Sequence, residues 1–509
     1  MDAANSSNSQ TQMDHDDRKT LTGIAFPADT GGRRSTLAAG RHVFSEALSA
    51  VSAEAADAIR READWRHRYM RHVRREVELE LMQAGAAEAI ARKGLHALHT
   101  HFEFHRGGQV QSLQAAMAQP GGTRLETVTI AGSGNGRPAL SVPYRGELLC
   151  GDALRRQLDA WVAAGTVEPS FAAAINTVLD HPDWLDLSDW HIAVLGAGAE
   201  LGPLPTLIGW RANLAVVDTP ESPAWGRIVA TARKSNGRVL LPLNEHTTVD
   251  DPTLAFKAGA DLLTETPEIR DWLAELPRPL AVGGYAYLDG EAHVRVSLAM
   301  DAIMASLIEQ RADVVPAWLL NPTDVFAVPA EAAEAAMRAW RERGSLAWLQ
   351  APLRWASGNR LFRPNVSGLI AGCGGLRAGI VDSIVPQQGS ASVLARRLQK
   401  WRAVETQAQG RAVSANVAPA TNTRSTLKNK ALAAAYKGAY HFGVEIFEPA
   451  TANALMAALL VYDLRRGSAG TAGRHPAELF MENAAHGGLW RIAYEPRSAL
   501  PFAAVLGLF

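Results

Sequence analysis

The chain has 509 residues, 47% of them hydrophobic and 20% charged, a globular balance that fills a large core and suggests two or three domains. Its 51 Lys and Arg against 52 Asp and Glu leave a net charge of −1, which argues against nucleic-acid binding through bulk charge. Two cysteines, Cys150 and Cys373, exclude a disulfide framework and a four-thiolate zinc site; a reduced, cytoplasmic protein is expected.

Residues 1–35, rich in Ser, Asn, Gln, Asp, Thr and Gly, read as a disordered tail. The first 20 residues hold Asp2, Asp14, Asp16 and Asp17 and no apolar block, so no signal peptide is expected. From 36 to 98 apolar residues recur at helical spacing: Val43, Leu48, Val51, Ala55 and Ile59, then Val73, Val77, Leu81 and Ala84. Composition turns to Gly, Thr, Ser and Pro with Val and Ile over 120–143, which reads as strands and turns. Helical spacing returns over 152–180 through Leu154, Leu158, Trp161, Phe171, Ile175 and Leu179. Residues 36–186 are therefore expected to form a mainly helical domain.

Residues 191–218, HIAVLGAGAELGPLPTLIGWRANLAVVD, run strand, glycine turn, helix, strand, acid. Ile192–Leu195 and Leu214–Val217 are the apolar runs, Leu204–Trp210 the helix and Asp218 the acid. Strands follow at Arg238, Pro279–Val282 and Val314–Leu320, with helices at Ile269–Leu276 and His293–Gln310. This alternation predicts an α/β fold: a Rossmann-type, mainly parallel sheet over 187–425 with an insertion around 321–377. The remainder, 426–509, is expected to be mostly helical. Its stretch 449–462 is 14 residues long, short of the roughly 20 that span a bilayer, so no membrane partner is expected. On fold analogy alone, the helices 293–310 and 427–447 and the stretch 449–462 are expected to offer the dimer face of a homo-oligomer.

A strand entering a helix through a tight turn needs glycines, and free N–H groups at the helix start attract a diphosphate. Here the spacing is Gly196-x-Gly198-x-x-x-Gly202, with Leu201 where the usual fingerprint has its third glycine. Asp218, 22 positions after Gly196, suits a ribose hydroxyl, so the expected cofactor is NAD or NADP, with the acid favouring NAD. S-adenosylmethionine is the alternative ligand, although Ala193, Val194 and Leu195 stand where methyltransferases usually carry an acid before the glycines.

Residues 378–425 read as strand Gly379–Ser383, helix Val393–Glu405, strand Ala412–Val417 and a closing Pro419-Ala-Thr-Asn-Thr423. With 190–225, this order resembles the short-chain dehydrogenase/reductase family, whose core ends strand, YxxxK helix, strand, PGxxT. The resemblance places the family's tyrosine on Ser392, its lysine on Arg396, its serine near Ser383 and its loop proline on Pro419. A serine is a poorer acid than tyrosine and an arginine does not release its proton, so the proton donor is left open. Tyr285 and Tyr287, after the strand at 279–282, are the other candidates, with packing as the plainer reading. The expectation is an NAD(P)-dependent oxidoreductase of divergent short-chain type acting on a small molecule, with Ser392, Arg396 and Tyr285 as catalytic candidates. A non-catalytic nucleotide-binding protein is the further alternative.

His96, His99, His101 and His105 lack companions at diagnostic spacing, so no metal is expected, although these histidines leave a site open. AGCGGLRAG at 371–379 reads as a tight turn, and Cys373 has no histidine placed beside it as a base. No GxSxG elbow or GxxxxGK[ST] loop occurs.

Overall fold

The computed structural model describes residues 21–468 and 474–508, so most of the predicted tail lies outside the described residues. Its centre is a seven-stranded sheet whose strands, in chain order, are β1 (Glu126–Ala131), β2 (His191–Leu195), β3 (Asn213–Val217), β4 (Arg238–Leu243), β5 (Leu280–Gly284), β6 (Val314–Leu320) and β7 (Ser414–Val417). Their spatial order is β7-β6-β5-β2-β3-β4-β1. All pairings are parallel except β1 with β4, where Ile130 sits opposite Val239.

The strands are short continuous apolar runs because both faces are covered. Alternate residues feed two cores. Ala193, Leu195, Ala215 and Val217 pack with the N-terminal helices and with Glu291–Gln310 and Gly389–Ala408. Ile192, Val194, Leu214 and Val216 pack with Gly151–Ala163, Pro169–Asp180 and Pro449–Arg466. This is the period-two alternation of a pleated strand read from both sides.

Several sequence expectations need correction. The tail ends earlier than residue 35, because Gly23–Ala25 is a buried strand pairing with Glu103–Arg106. The sheet does not begin at 187: β1, from the segment read as strands and turns, forms its antiparallel edge. Arg377–Asp382 is a strand, but it pairs with Val325–Pro329 and Ile370–Ala371 in a separate three-stranded sheet. The helix expected over 427–447 is broken into Arg424–Lys428, Lys430–Gly438 and a 3-10 turn at Ala439–Phe442. The 371–379 cluster holds a short 3-10 turn with Gly374 and Gly375 at positive φ. Among the described residues no helix is long and apolar enough to cross a membrane.

At the edge strand β7, Ser414 Oγ and Asn416 Nδ2 donate to Asp463 Oδ2 at 2.7 and 2.6 Å. Burial nevertheless outweighs these bonds and lifts the Asp463 carboxyl to about 6. A folded-state value above the unfolded one means stability is fully present below the unfolded value and is lost as pH rises from about 4 to about 6. Asp463→Asn is expected to raise stability at pH 7 by about 1–2 kcal/mol and to change it little at pH 3.5, as urea titration at the two pH values will read.

Candidate functional site

The carboxyl ends of the central strands are level. Leu195 of β2 is in register with Val217 of β3 and with Gly284 of β5, and Leu320 of β6 with Val417 of β7. The glycine turn, Asp218, Tyr285, the Asn321–Asp324 loop and the Pro419–Thr423 loop therefore all leave one edge of the sheet. The chain moves outward in one direction from β2 to β3 and in the other from β5 to β6, and ligands of such sheets bind in the crevice at that reversal.

Gly196 has φ +89°, and a Cβ there would lie 2.4 Å from the backbone of Ala286, in the loop after β5. The first glycine thus brings the two central loops into contact. Gly196→Ala combines a left-handed backbone with a backbone clash and is expected to cost at least about 2 kcal/mol. Gly202 has an ordinary φ and would place its Cβ 3.2 Å from Ala199 O, so Gly202→Ala is expected to cost under about 1 kcal/mol. Denaturant midpoints of the two variants check the contrast.

Gly196 and Ala197 N–H donate to Val217 O, and Gly198 N–H donates to Asp218 Oδ2 at 2.6 Å. Asp218 Oδ1 accepts from Thr219 N–H at 2.8 Å, so each carboxylate oxygen takes one backbone donor and keeps capacity for a hydroxyl. Ala199 and Gly202 N–H bond inside the turn. Glu200 and Leu201 N–H have no partner among the described residues, and these two are the turn's available anion donors. The helix that follows, Leu204–Gly209, has six residues, and Pro203 and Pro205 bring no N–H to its start. The two prolines in GPLP were a sequence signal of this narrowed donor set. Glu200 is tied to the far end of the chain: Oε2 accepts from Arg424 N–H at 2.9 Å, and its carbonyl accepts from Asn453 Nδ2 at 3.1 Å.

A second group of residues gathers at the ends of β5 and β6. Arg396 is buried on the helix Gly389–Ala408, with Ser392 one turn before it on the same face. Arg396 Nη1 donates to Thr323 O at 2.6 Å and to Gln388 Oε1 at 3.1 Å. Burial works against its charge, which Asp324 supports at longer range together with Tyr287, Tyr69 and Tyr436. Burial and the Arg396 charge hold the His293 imidazole down at about 3, so it is neutral at any physiological pH. The Tyr287 ring lies 4.5 Å from that of His293, centroid to centroid. Burial raises the Tyr287 phenol, and Arg396 opposes the rise.

Around these, His293 Nδ1, Ser297 Oγ, Ser383 Oγ, Ser392 Oγ and Tyr69 Oη are buried without a hydrogen-bond partner. Buried polar groups are almost always paired, so each of these atoms carries unmet hydrogen-bonding capacity. The structure thus brings Arg396 into electrostatic reach of Tyr287, His293, Tyr69 and Tyr436, residues drawn from separate segments. Sequence reasoning missed His293, Ser297, Tyr69 and Tyr436. His293 and Ser297, four apart on an otherwise apolar helix face, were a readable signal.

Tyr285 sits differently. Its N–H donates to Leu195 O, and its ring folds back over Gly283, where a Cβ would lie 2.2 Å from the ring. It belongs to a hydrophobic core, and burial alone pushes its phenol up. Three of the four histidines flagged earlier have structural partners: His99 Nε2 lies 2.6 Å from Asp301 Oδ2, the His101 ring lies tilted 4.1 Å from that of His42, and His105 Nε2 lies 2.7 Å from Glu103 Oε2, while His96 is exposed. No metal-holding group of three or more His, Cys, Asp or Glu occurs among the described residues.

Comparison with protein-family models, with curated proteins and with solved structures finds no match to the chain.

Proposed function

We propose that the protein is an NAD(P)-dependent oxidoreductase of divergent short-chain, Rossmann type that acts on a small molecule. The observation that carries this reading is the strand edge at the sheet's point of reversal, where the glycine turn with Asp218 beside it and the loop bearing Tyr287 both leave the sheet. Counted from β2, the six parallel strands run 3-2-1-4-5-6, the order of dinucleotide-binding sheets, which supports the same reading.

The residues fit such a cofactor in charge and donor type. The N–H groups of Glu200 and Leu201 would meet the diphosphate at Gly196–Gly202, and Asp218 would accept from the ribose. A nicotinamide, when bound, supplies or takes the hydride. Tyr287 is the proton donor in this reading, since its phenol is raised and stays protonated at neutral pH beside the Arg396 charge. Arg396 and Ser392 then bind and orient, and Tyr285 supports the strand end without taking part.

The test is calorimetric titration with NADH, NADPH and S-adenosylmethionine, repeated with Asp218→Asn, which removes charge while keeping an acceptor for Gly198 and Thr219. Nicotinamide nucleotide binding is expected, with the preference shifting toward NADPH by about tenfold in the variant. Binding of S-adenosylmethionine alone would replace this reading with a methyltransferase, and no binding would leave the turn as architecture.

A further inference from the structure

The other buried arginines in the structure each face a carboxylate. Arg270 meets Asp271 at 2.6 Å, Arg311 meets Asp313 at 2.7 Å, and Arg397 meets Asp324 at 3.1 Å. Arg396 is as buried as these, at 4% exposure, and among the described residues it has no carboxylate within 4.0 Å. Asp324, the carboxylate that supports its charge, is engaged by Arg397 and Lys400. A guanidinium keeps its proton, so burial cannot neutralise it, and with Asp324 supporting it only at longer range its charge lacks a direct ion-pair partner.

The geometry of what remains is specific. Nη1 is used twice, by Thr323 O and Gln388 Oε1, while Nε and Nη2 have no hydrogen-bond partner among the described residues. The Nε–Nη2 edge presents two parallel N–H donors, the arrangement that matches the two oxygens of a carboxylate. Ser392 Oγ, one helical turn away on the same face, is also unpaired, as are Ser383 Oγ, Ser297 Oγ and His293 Nδ1. These neutral groups suit the uncharged polar part of a ligand.

We infer that Arg396 is the receptor for the carboxylate of the substrate, so that the molecule acted on is a small organic acid whose carboxylate completes a buried ion pair absent from the free protein. The assignment of a chemical role to that acid rests on the oxidoreductase reading above; the carboxylate site itself rests on Arg396 and its neighbours. Arg396 in this account binds and positions, while Tyr287, whose ring packs against that of His293, would donate to the substrate's carbonyl oxygen.

The experiment titrates the full-length protein calorimetrically with butyrate, 2-hydroxybutyrate and benzoate, each against its neutral amide, and with inorganic phosphate. NADH is titrated separately. At least one carboxylate is expected to bind with its amide weaker by about tenfold or more. Arg396→Met is expected to abolish carboxylate binding and Arg396→Lys to weaken it by about tenfold, because a point charge replaces a two-pronged donor. NADH affinity is expected to stay within about twofold of the wild type in both variants.

Carboxylate and amide binding equally, phosphate binding alone, or carboxylate binding that survives Arg396→Met would each overturn the inference, as would no binding of any carboxylate. Circular dichroism checks the fold of each variant. If Arg396→Met does not fold, the acid-against-amide comparison in the wild type and Arg396→Lys decide the matter. Carboxylate binding that needs Arg396 in a protein that ignores NADH and NADPH would keep this inference and remove the cofactor reading.

Discussion

Asp324→Ala is expected to cost about 3–5 kcal/mol, the largest stability loss of any single substitution considered. Asp324 is wholly buried at the start of the insertion, immediately before Val325–Pro329. Arg397 Nη2 donates to its Oδ1 at 3.1 Å, Val325 N–H donates to the same oxygen at 2.8 Å, and Lys400 Nζ stands 2.9 Å from Oδ2. Lys400 is further held over the Phe326 ring at 3.4 Å, and Trp401 Nε1 donates to Glu76 Oε1 at 2.8 Å in the same interior.

Burial opposes the Asp324 charge, and Arg397, Lys400 and Arg396 more than reverse it, so the carboxyl lies well below its ordinary value. Burial first, and Arg397 second, bring the Lys400 ammonium down to about 7. Alanine would leave these cations facing each other without their shared anion. A depressed folded-state value makes Asp324's contribution present above the unfolded value, near 4, and lost as pH falls below it. Urea titration is therefore expected to show the full loss at pH 7 and a loss only about 1 kcal/mol smaller at pH 3, because the folded carboxyl is still ionised there. Asp324→Asn, which keeps the Val325 bond, is expected to lose less. A loss below about 1 kcal/mol at pH 7 would show that the network is no net support.

Tyr287→Phe is expected to lower the rate of the chemical step by about 10²–10⁴-fold with nucleotide affinity unchanged, while Tyr285→Phe leaves both nearly unaffected. The two tyrosines stand two residues apart and were not distinguishable by spacing. Tyr285 is 9% exposed with its ring on Gly283; Tyr287 is 51% exposed, against His293 and within reach of Arg396. The raised Tyr287 phenol stays protonated across the neutral range, so on the proposed oxidoreductase reading it holds the proton for carbonyl reduction, as a weaker acid than an unperturbed tyrosine. Alcohol oxidation needs the phenolate, so its rate is expected to climb with pH while reduction stays flat. Stopped-flow rates in both directions from pH 6 to 10 read the difference. Equal losses in Tyr285→Phe and Tyr287→Phe would remove the assignment.

The sheet was legible where local chemistry decides the outcome. Continuous apolar runs gave β2, β3, β5 and β6 to within two residues at each end, because a strand covered on both faces has no polar positions to blur it. Pairing was not legible. Nothing local distinguishes Glu126–Ala131, which joins the main sheet, from Arg377–Asp382, which joins a small one, since partner choice is settled by contacts far along the chain. Ser392 and Arg396 came into view through a resemblance in element order. Their neighbours Tyr69, His293 and Tyr436 lie on three separate helices, and only folding assembles them.

The antiparallel edge strand also sets an order of events during synthesis. β1 is made first, yet its partner β4 follows about a hundred residues later, so this pairing closes a long loop and forms slowly. A nascent chain that has emerged only to β6 still lacks β7 and the Tyr436 helix, and it presents the unpaired edge of β6 to any neighbouring chain. Folding yield is therefore governed by the interval between the emergence of β6 and β7, an interval lengthened by every residue of the insertion that separates them.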